Sequence, residues 1–188
     1  MAYLAPLVVL MGYLLGSISS AYFIAKWVKG VDIRQVGDRN PGAGNTFRQI
    51  GPLAGVAVAV ADIAKGAAPV VVAEFAGFHW SVVLLTGLAA IAGHNWPLYF
   101  GFKGGVGTAT ALGVALALLP REVMLLGIVF LGPFLLTRNL VLIASTGAVV
   151  LPFVSWAFHE PWHLVFGPLA VAALVGGTLA SRILRKKG

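Results

Sequence analysis

Val106 to Thr137 reads VGTATALGVALALLPREVMLLGIVFLGPFLLT. It is apolar apart from Pro120-Arg121-Glu122 at its centre, so it fits either one long helix or a hairpin of two short ones. The charges outside it decide between them. Lys103 precedes the stretch and Arg138 follows it. The connection upstream holds Lys26, Lys29, Arg34, Arg39 and Arg48, and the C-terminal end holds Arg182, Arg185, Lys186 and Lys187. Loops on the cytoplasmic side of a membrane carry the Lys and Arg excess. If all four basic segments lie there, an even number of crossings separates each pair. The stretch is then two short crossings, Thr108–Leu119 and Val123–Thr137. A five-span bundle with a re-entrant central hairpin would give the same sidedness.

Working outward, the chain has the composition of a membrane protein. Of 188 residues, 59% are hydrophobic and only 10% charged, against roughly 25% charged in a soluble domain. Mean hydropathy is +0.93. A membrane helix needs about 20 predominantly apolar residues, and further runs of this kind are Leu4–Val28, Leu53–Phe75, Trp80–Tyr99, Leu140–Ala157 and Leu164–Ile183. The first has no basic n-region or clear cleavage site, so it reads as a retained span. The expectation is an all-α, polytopic bundle of about seven spans, two of them short. Its N-terminus would lie outside and its C-terminus in the cytoplasm, with residues 1–188 as one integral membrane domain. Eleven of the 13 basic residues then lie inside. The 24 glycines suit helices packed closely through small residues. The absence of cysteine excludes disulfides and thiolate metal sites, and the four histidines have no metal-ligand spacing. A net charge of +7 confined to loops and the tail points to anionic lipid or an anionic substrate rather than nucleic acid.

Three polar stretches interrupt the apolar pattern. The first is Val36 to Arg48, VGDRNPGAGNTFR. Its glycines let backbone amides approach a phosphate, Asn and Arg add donors, and Pro41 is placed to open a helix. A solvated basic loop is the bland alternative. The second is Asp62-Ile63-Ala64-Lys65-Gly66. Asp62 and Lys65, three apart on a helix, share a face, and ionisable residues within a span are functional by default. A structural ion pair is the alternative. The third is Gly93 to Thr110, GHNWPLYFGFKGGVGTAT, in which Lys103 and the amides of Gly104, Gly105 and Gly107 could cradle an anion at a helix start. His94 alone reads as a buried interface residue.

In this order and at these separations, the three stretches resemble the bacterial acyl-phosphate–dependent glycerol-3-phosphate acyltransferase family. Its patterns are GxGNxGxxNxxR, DxxKG and GHxxPxFxxFKGGKGxAT. The resemblance implies acyl transfer from acyl phosphate to glycerol 3-phosphate, yielding lysophosphatidate for phospholipid synthesis in a bacterial plasma membrane. The active site would face the cytoplasm, with no cofactor, metal, coenzyme A thioester or obligate protein partner. Asn40, Gly42, Asn45 and Arg48 match the first pattern. Asp62, Lys65 and Gly66 match the second; His94, Pro97, Lys103, Gly104, Gly105 and Gly107 match the third. The resemblance gives catalytic roles to His94, Lys103 and Arg48. Asn40, Asn45 and the glycine amides would line a phosphate pocket, and Asp62 would orient Lys65. Ala144 and Ser145 are kept from a later family segment. The chain departs from the family at Asp38 (usually serine), Arg39 (glycine), Val106 (a second lysine) and Leu142 (an earlier serine). Losing one charge-assisted contact costs ~2–4 kcal/mol, about two to three decades of rate. An acid at Asp38 would repel a phosphate unless Arg39 neutralises it, a pairing the sequence leaves open; in an active enzyme Arg39 or Arg138 would supply the charge missing at Val106. The alternatives are a paralogue that binds lipid phosphate without chemistry or uses other substrates, and a small lipid or solute transporter.

Overall fold

A computed structural model describes residues 2–137 and 140–185 of the chain. The described residues form helices α1 (Ala5–Gly16), α2 (Ser20–Lys29), α3 (Ala43–Gln49), α4 (Pro52–Phe75), α5 (Trp80–Asn95), α6 (Thr108–Leu118), α7 (Pro120–Thr137), α8 (Leu140–Ala157) and α9 (Trp162–Arg185). No strand occurs among them. Among the described residues, five segments are long and apolar enough to cross a membrane: Ala5–Lys29, Pro52–Phe75, Trp80–Phe100, Pro120–Thr137 and Trp162–Arg182. Two shorter apolar helices, Thr108–Leu118 and Leu142–Ala157, accompany them. The protein is therefore an all-helical integral membrane bundle.

Two elements depart from the expected spans. The central stretch does break, at Leu119 (φ −140°, ψ 59°), because Pro120 disfavours helix at the residue before it and suits the first position of the next. Arg121 and Glu122 fall inside the first turn of α7 rather than in a loop. Only the α6 arm is short; α7 has 18 residues. The first apolar run is not continuous either. α1 stops at Gly16, and the Ser17 hydroxyl bonds back to the Tyr13 carbonyl at 2.8 Å. Such bonds compete with helix continuation. α2 restarts at Ser20 and is amphipathic. It buries Ser20, Ala21 and Ala25, exposes Phe23, Lys26, Trp27 and Lys29, and ends at Gly30 in the left-handed region (φ 68°).

Close backbone approach holds the central helices. A Cβ on Gly66 of α4 would lie 2.1 Å from the Thr110 carbonyl of α6, and one on Gly16 of α1 would lie 2.0 Å from the Ala90 carbonyl of α5. Small residues serve this purpose where lipid removes the hydrophobic drive for helix association. Val70, Ala73, Val83, Ile91, Val114 and Val171 fill the centre between α4, α5, α6 and α9. A separate cluster of Ala21, Ala25, Ile33, Ile50, Ala54 and Val58 seats α2, the loop and α3 on the first turns of α4. Those turns overhang the other helices. Asp62 stands about 15 Å along α4 at 1.5 Å per residue, yet it is level with the end of α5, and Lys65 is level with the α1–α2 break. The ion pair embedded in an apolar run thus lies where three helices end or begin.

Candidate functional site

The Ser17–Ser19 break, the α5 terminus and the Gly-rich turn enclose a narrow cleft lined by Ser17, Ser19, Pro41, Lys65, His94 and Gly105, among others. Lys65 Nζ lies 2.8 Å from Asp62 Oδ1 and donates to the Ile18 carbonyl at 2.7 Å. Both side chains are nearly inaccessible, at 9% and 2% exposure. His94 Nδ1 is 3.8 Å from the same carboxylate oxygen. The ring's Nε2 edge faces Gly105, where a Cβ would come within 2.0 Å of it. Lys65, Asp62 and His94 therefore form one buried group at the floor of the cleft.

The Gly-rich turn docks beneath α5. The amides of Gly104 and Gly105 donate to the carbonyls of Asn95 (3.2 Å) and His94 (2.9 Å), satisfying acceptors that a helix C-terminus leaves open. These two amides are engaged in the turn and do not point at an anion, which corrects the expected glycine cradle. Their carbonyls face Arg182 of α9. Its Nη2 donates to Gly104 O and to Gly105 O (2.9 Å), and its Nη1 to Asn40 Oδ1 (2.7 Å). One guanidinium thus joins the first and third polar stretches. Gly107 adopts φ +88° immediately before α6, with its Cα against Asn95 Oδ1.

The first stretch is organised from within. Asn45 is 1% exposed. Its amide donates to the carbonyls of Ile33 (3.2 Å) and Val36 (3.0 Å), and its Oδ1 accepts from Asp38 N. With those groups engaged, Asn45 shapes the loop rather than lining a pocket. Gly42, not Pro41, is the N-cap of α3, and its carbonyl accepts from the Thr46 amide and hydroxyl. Asp38 Oδ2 lies 2.6 Å from Arg48 Nη2, and Oδ1 accepts from Asn40 N at 2.9 Å. The partner of Asp38 is therefore Arg48, not Arg39. Arg39 is exposed at φ 63° with no side-chain partner among the described residues. Upstream, Asp32 caps the turn Ile33–Gln35 and pairs with Arg34 at 2.7 Å. The Arg34 hydrogen bond holds the Asp32 carboxyl below its ordinary 3.8, and burial opposes the shift only in part. The Arg34 guanidinium also stacks on Tyr22 of α2 and Phe100 of the third stretch, 5.1 and 5.3 Å from the ring centroids.

Comparison with known proteins identifies the family. The sequence profile of the family described as glycerol-3-phosphate acyltransferase matches residues 6–185. The chain belongs to this family. Glycerol-3-phosphate acyltransferase of Shouchella clausii is 42% identical over 176 residues, 88% of this chain and 84% of the relative. The Aquifex aeolicus protein of the same name is 40% identical over 173 residues, 91% and 89% of the two chains. The crystal structure of PlsY (YgiH), an integral membrane glycerol 3-phosphate acyltransferase, superposes in its glycerol 3-phosphate form with a TM-score of 0.86 at 38% identity. It covers 96% of this chain and 90% of that one. The lysophosphatidic acid form gives 0.84 at 37% identity.

In this acyltransferase-family chain, most residues singled out by sequence converge. Asn40 meets Gly104 and Gly105 through Arg182, Asp38 links Arg48 and Asn45 to Asn40, and Asp62, Lys65 and His94 lie together in the cleft. Lys103 is exposed on the turn without a side-chain partner among the described residues. Ser145 is not brought in: it is exposed on α8, which packs on α6, α7 and α9. Arg138 lies outside the described residues. Sequence reading missed Arg182, taken for a tail residue, and the Ser17–Ser19 break. The signals were there, an arginine four residues after Thr178 in an apolar helix and a small polar run inside the first span.

Proposed function

We propose that this membrane glycerol-3-phosphate acyltransferase takes its acyl group from an acyl phosphate and works at the cytoplasmic face of a bacterial plasma membrane. The 1-hydroxyl oxygen of glycerol 3-phosphate attacks the acyl carbon, and the bond from that carbon to the phosphate oxygen breaks. The departing phosphate carries off the hydroxyl proton, so no protein base is required. The products are lysophosphatidate and inorganic phosphate. Because the donor is already activated, the protein's work is to position two anions and to stabilise developing charge.

The observation that supports this reading best is the convergence of three separated polar stretches on one cleft. Lys103 and Arg48 meet substrate phosphate at its rim. Lys65, held by Asp62, keeps a cation beside His94, which contacts a substrate phosphate or hydroxyl. Arg182 fixes Asn40 against the Gly-rich turn. Family membership favours this chemistry over lipid-phosphate binding without transfer, or transport. The test is transfer from palmitoyl phosphate to radiolabelled glycerol 3-phosphate by the purified protein in detergent, with Lys103→Ala as control. Product that depends on Lys103 is expected. No product from donors of several chain lengths, with a folded protein, would reject the assignment.

A further inference from the structure

The cations around the cleft are unequally committed. Lys65 is held by the Asp62 carboxylate and the Ile18 carbonyl, and Arg182 by Asn40 and two carbonyls. Arg34 is held by Asp32 in a pair whose side chains are 29% and 18% exposed. Among the cations held by a carboxylate or carbonyls, Arg48 is the exception. Its anionic partner is Asp38, with side-chain exposures of 57% and 40%. This is the one ion pair in the cleft region, among the described residues, that an incoming ligand can open without breaking a packed interior. The carboxylate is also fixed in place. Asp38 Oδ1 accepts from Asn40 N, Asp38 N donates to Asn45 Oδ1, and Asn40 in turn is held by Arg182.

We propose that Asp38 is a specificity-determining residue, an anion carried by the chain itself that occupies the phosphate-binding edge of Arg48. This rests on the proposed function. An acceptor phosphate engages Arg48 by exchanging with the Asp38 carboxylate, and the displaced carboxylate stays nearby on its anchored loop. Competition at this guanidinium therefore lowers acceptor affinity below what Arg48 and the other phosphate contacts would otherwise give. A dianionic acceptor meets more repulsion than a monoanionic one, because Coulomb energy scales with the product of the charges. Exposed pairs are weak individually, so the exchange occurs readily and shows itself in acceptor affinity.

Asp38→Asn tests this. Asparagine keeps an Oδ1 to accept from the Asn40 amide, so the loop retains its anchor while the charge is removed. Acceptor KM should fall about tenfold, the combined effect of one exposed pair and one like-charge contact, with the KM for palmitoyl phosphate little changed. Calorimetric titration of glycerol 3-phosphate into the purified protein should show the same tightening. In an Arg48→Ala background the gain should disappear, since the two residues act as one unit. An unchanged or raised acceptor KM in a folded Asp38→Asn protein would overturn the proposal. So would a collapse of kcat, which would make Asp38 a partner of the reacting hydroxyl. If neither protein transfers an acyl group but the variant binds glycerol 3-phosphate more tightly, the enzymatic reading fails and the competition at Arg48 stands.

Discussion

Gly105→Ala puts a methyl group where the structure has none to spare. The new Cβ would lie 2.0 Å from His94 Nε2, 2.8 Å from Cε1 and 2.9 Å from Cδ2. Ordinary contact begins at 3.4 Å, so the ring must retreat by about 1.4 Å, a displacement of the size that costs about a hundredfold in rate when a reacting geometry is disturbed. Retreat is not free, because His94 is 7% exposed and faces the Asp62 carboxylate on the other side. Overpacking of this kind also costs about 1–3 kcal/mol of stability. The expected outcome in the palmitoyl phosphate assay is a loss of about two decades in kcat/KM with a modest fall in melting temperature. Gly104→Ala separates the two effects. Its Cβ would strike main-chain oxygens, His94 O at 2.0 Å and Asn95 O at 2.8 Å, which cannot swing away, so it should fail chiefly as a folding defect. Gly176→Ala in α9 meets nothing within 4 Å and serves as the control, stabilised by up to about 1 kcal/mol. Gly105→Ala protein with activity within twofold of the parent would refute the reasoning, because His94 would then be either free to move or irrelevant to transfer.

Arg182→Ala removes the donor that joins Asn40 to the carbonyls of Gly104 and Gly105. With charged hydrogen bonds contributing about 1.5–3 kcal/mol each, kcat/KM should fall at least a hundredfold. Arg182→Lys should recover little, since an ammonium lacks the fork, whereas added guanidinium should partly rescue Arg182→Ala. Asp62→Asn or Lys65→Met leaves a buried charge without its partner and should cost about 3–5 kcal/mol. The doubly substituted Asp62→Leu, Lys65→Met protein should melt above either single variant while remaining inactive. Asp32, whose carboxyl is held below 3.8 by Arg34, contributes stability that is present above its unfolded value and lost as pH falls through its lower folded value. The melting-temperature gap between the parent and Asp32→Asn should therefore persist from pH 7 to pH 4 and close only below about 3.8.

What could be read from the sequence divides along a physical line. Length and hydropathy locate apolar runs because burial in lipid depends on composition, so α4, α5, α8 and α9 lie within a few residues of the expected spans. Pro120 marks the α6–α7 break because its effect is local. The α1–α2 break does not register in an average, since Ser17 to Ser20 are diluted by apolar neighbours. The same distinction governs the site. Motif spacing finds Asp62 and Lys65 because a helix puts them on one face. It cannot find which cation Asp38 takes, because Arg39 is adjacent in sequence while Arg48 is adjacent in space. Nor can it tell a glycine amide that faces a ligand from one that closes a helix end; Gly104 and Gly105 do the latter, and their carbonyls in turn call for Arg182. Arg182 is separated from Asn40 by most of the chain. Its place follows only once α9 is packed on α5, where Thr178 meets Asn95 at 2.9 Å one turn before the arginine. The arrangement of the candidate site is therefore set less by the motifs themselves than by the α9 contact that holds two of them together.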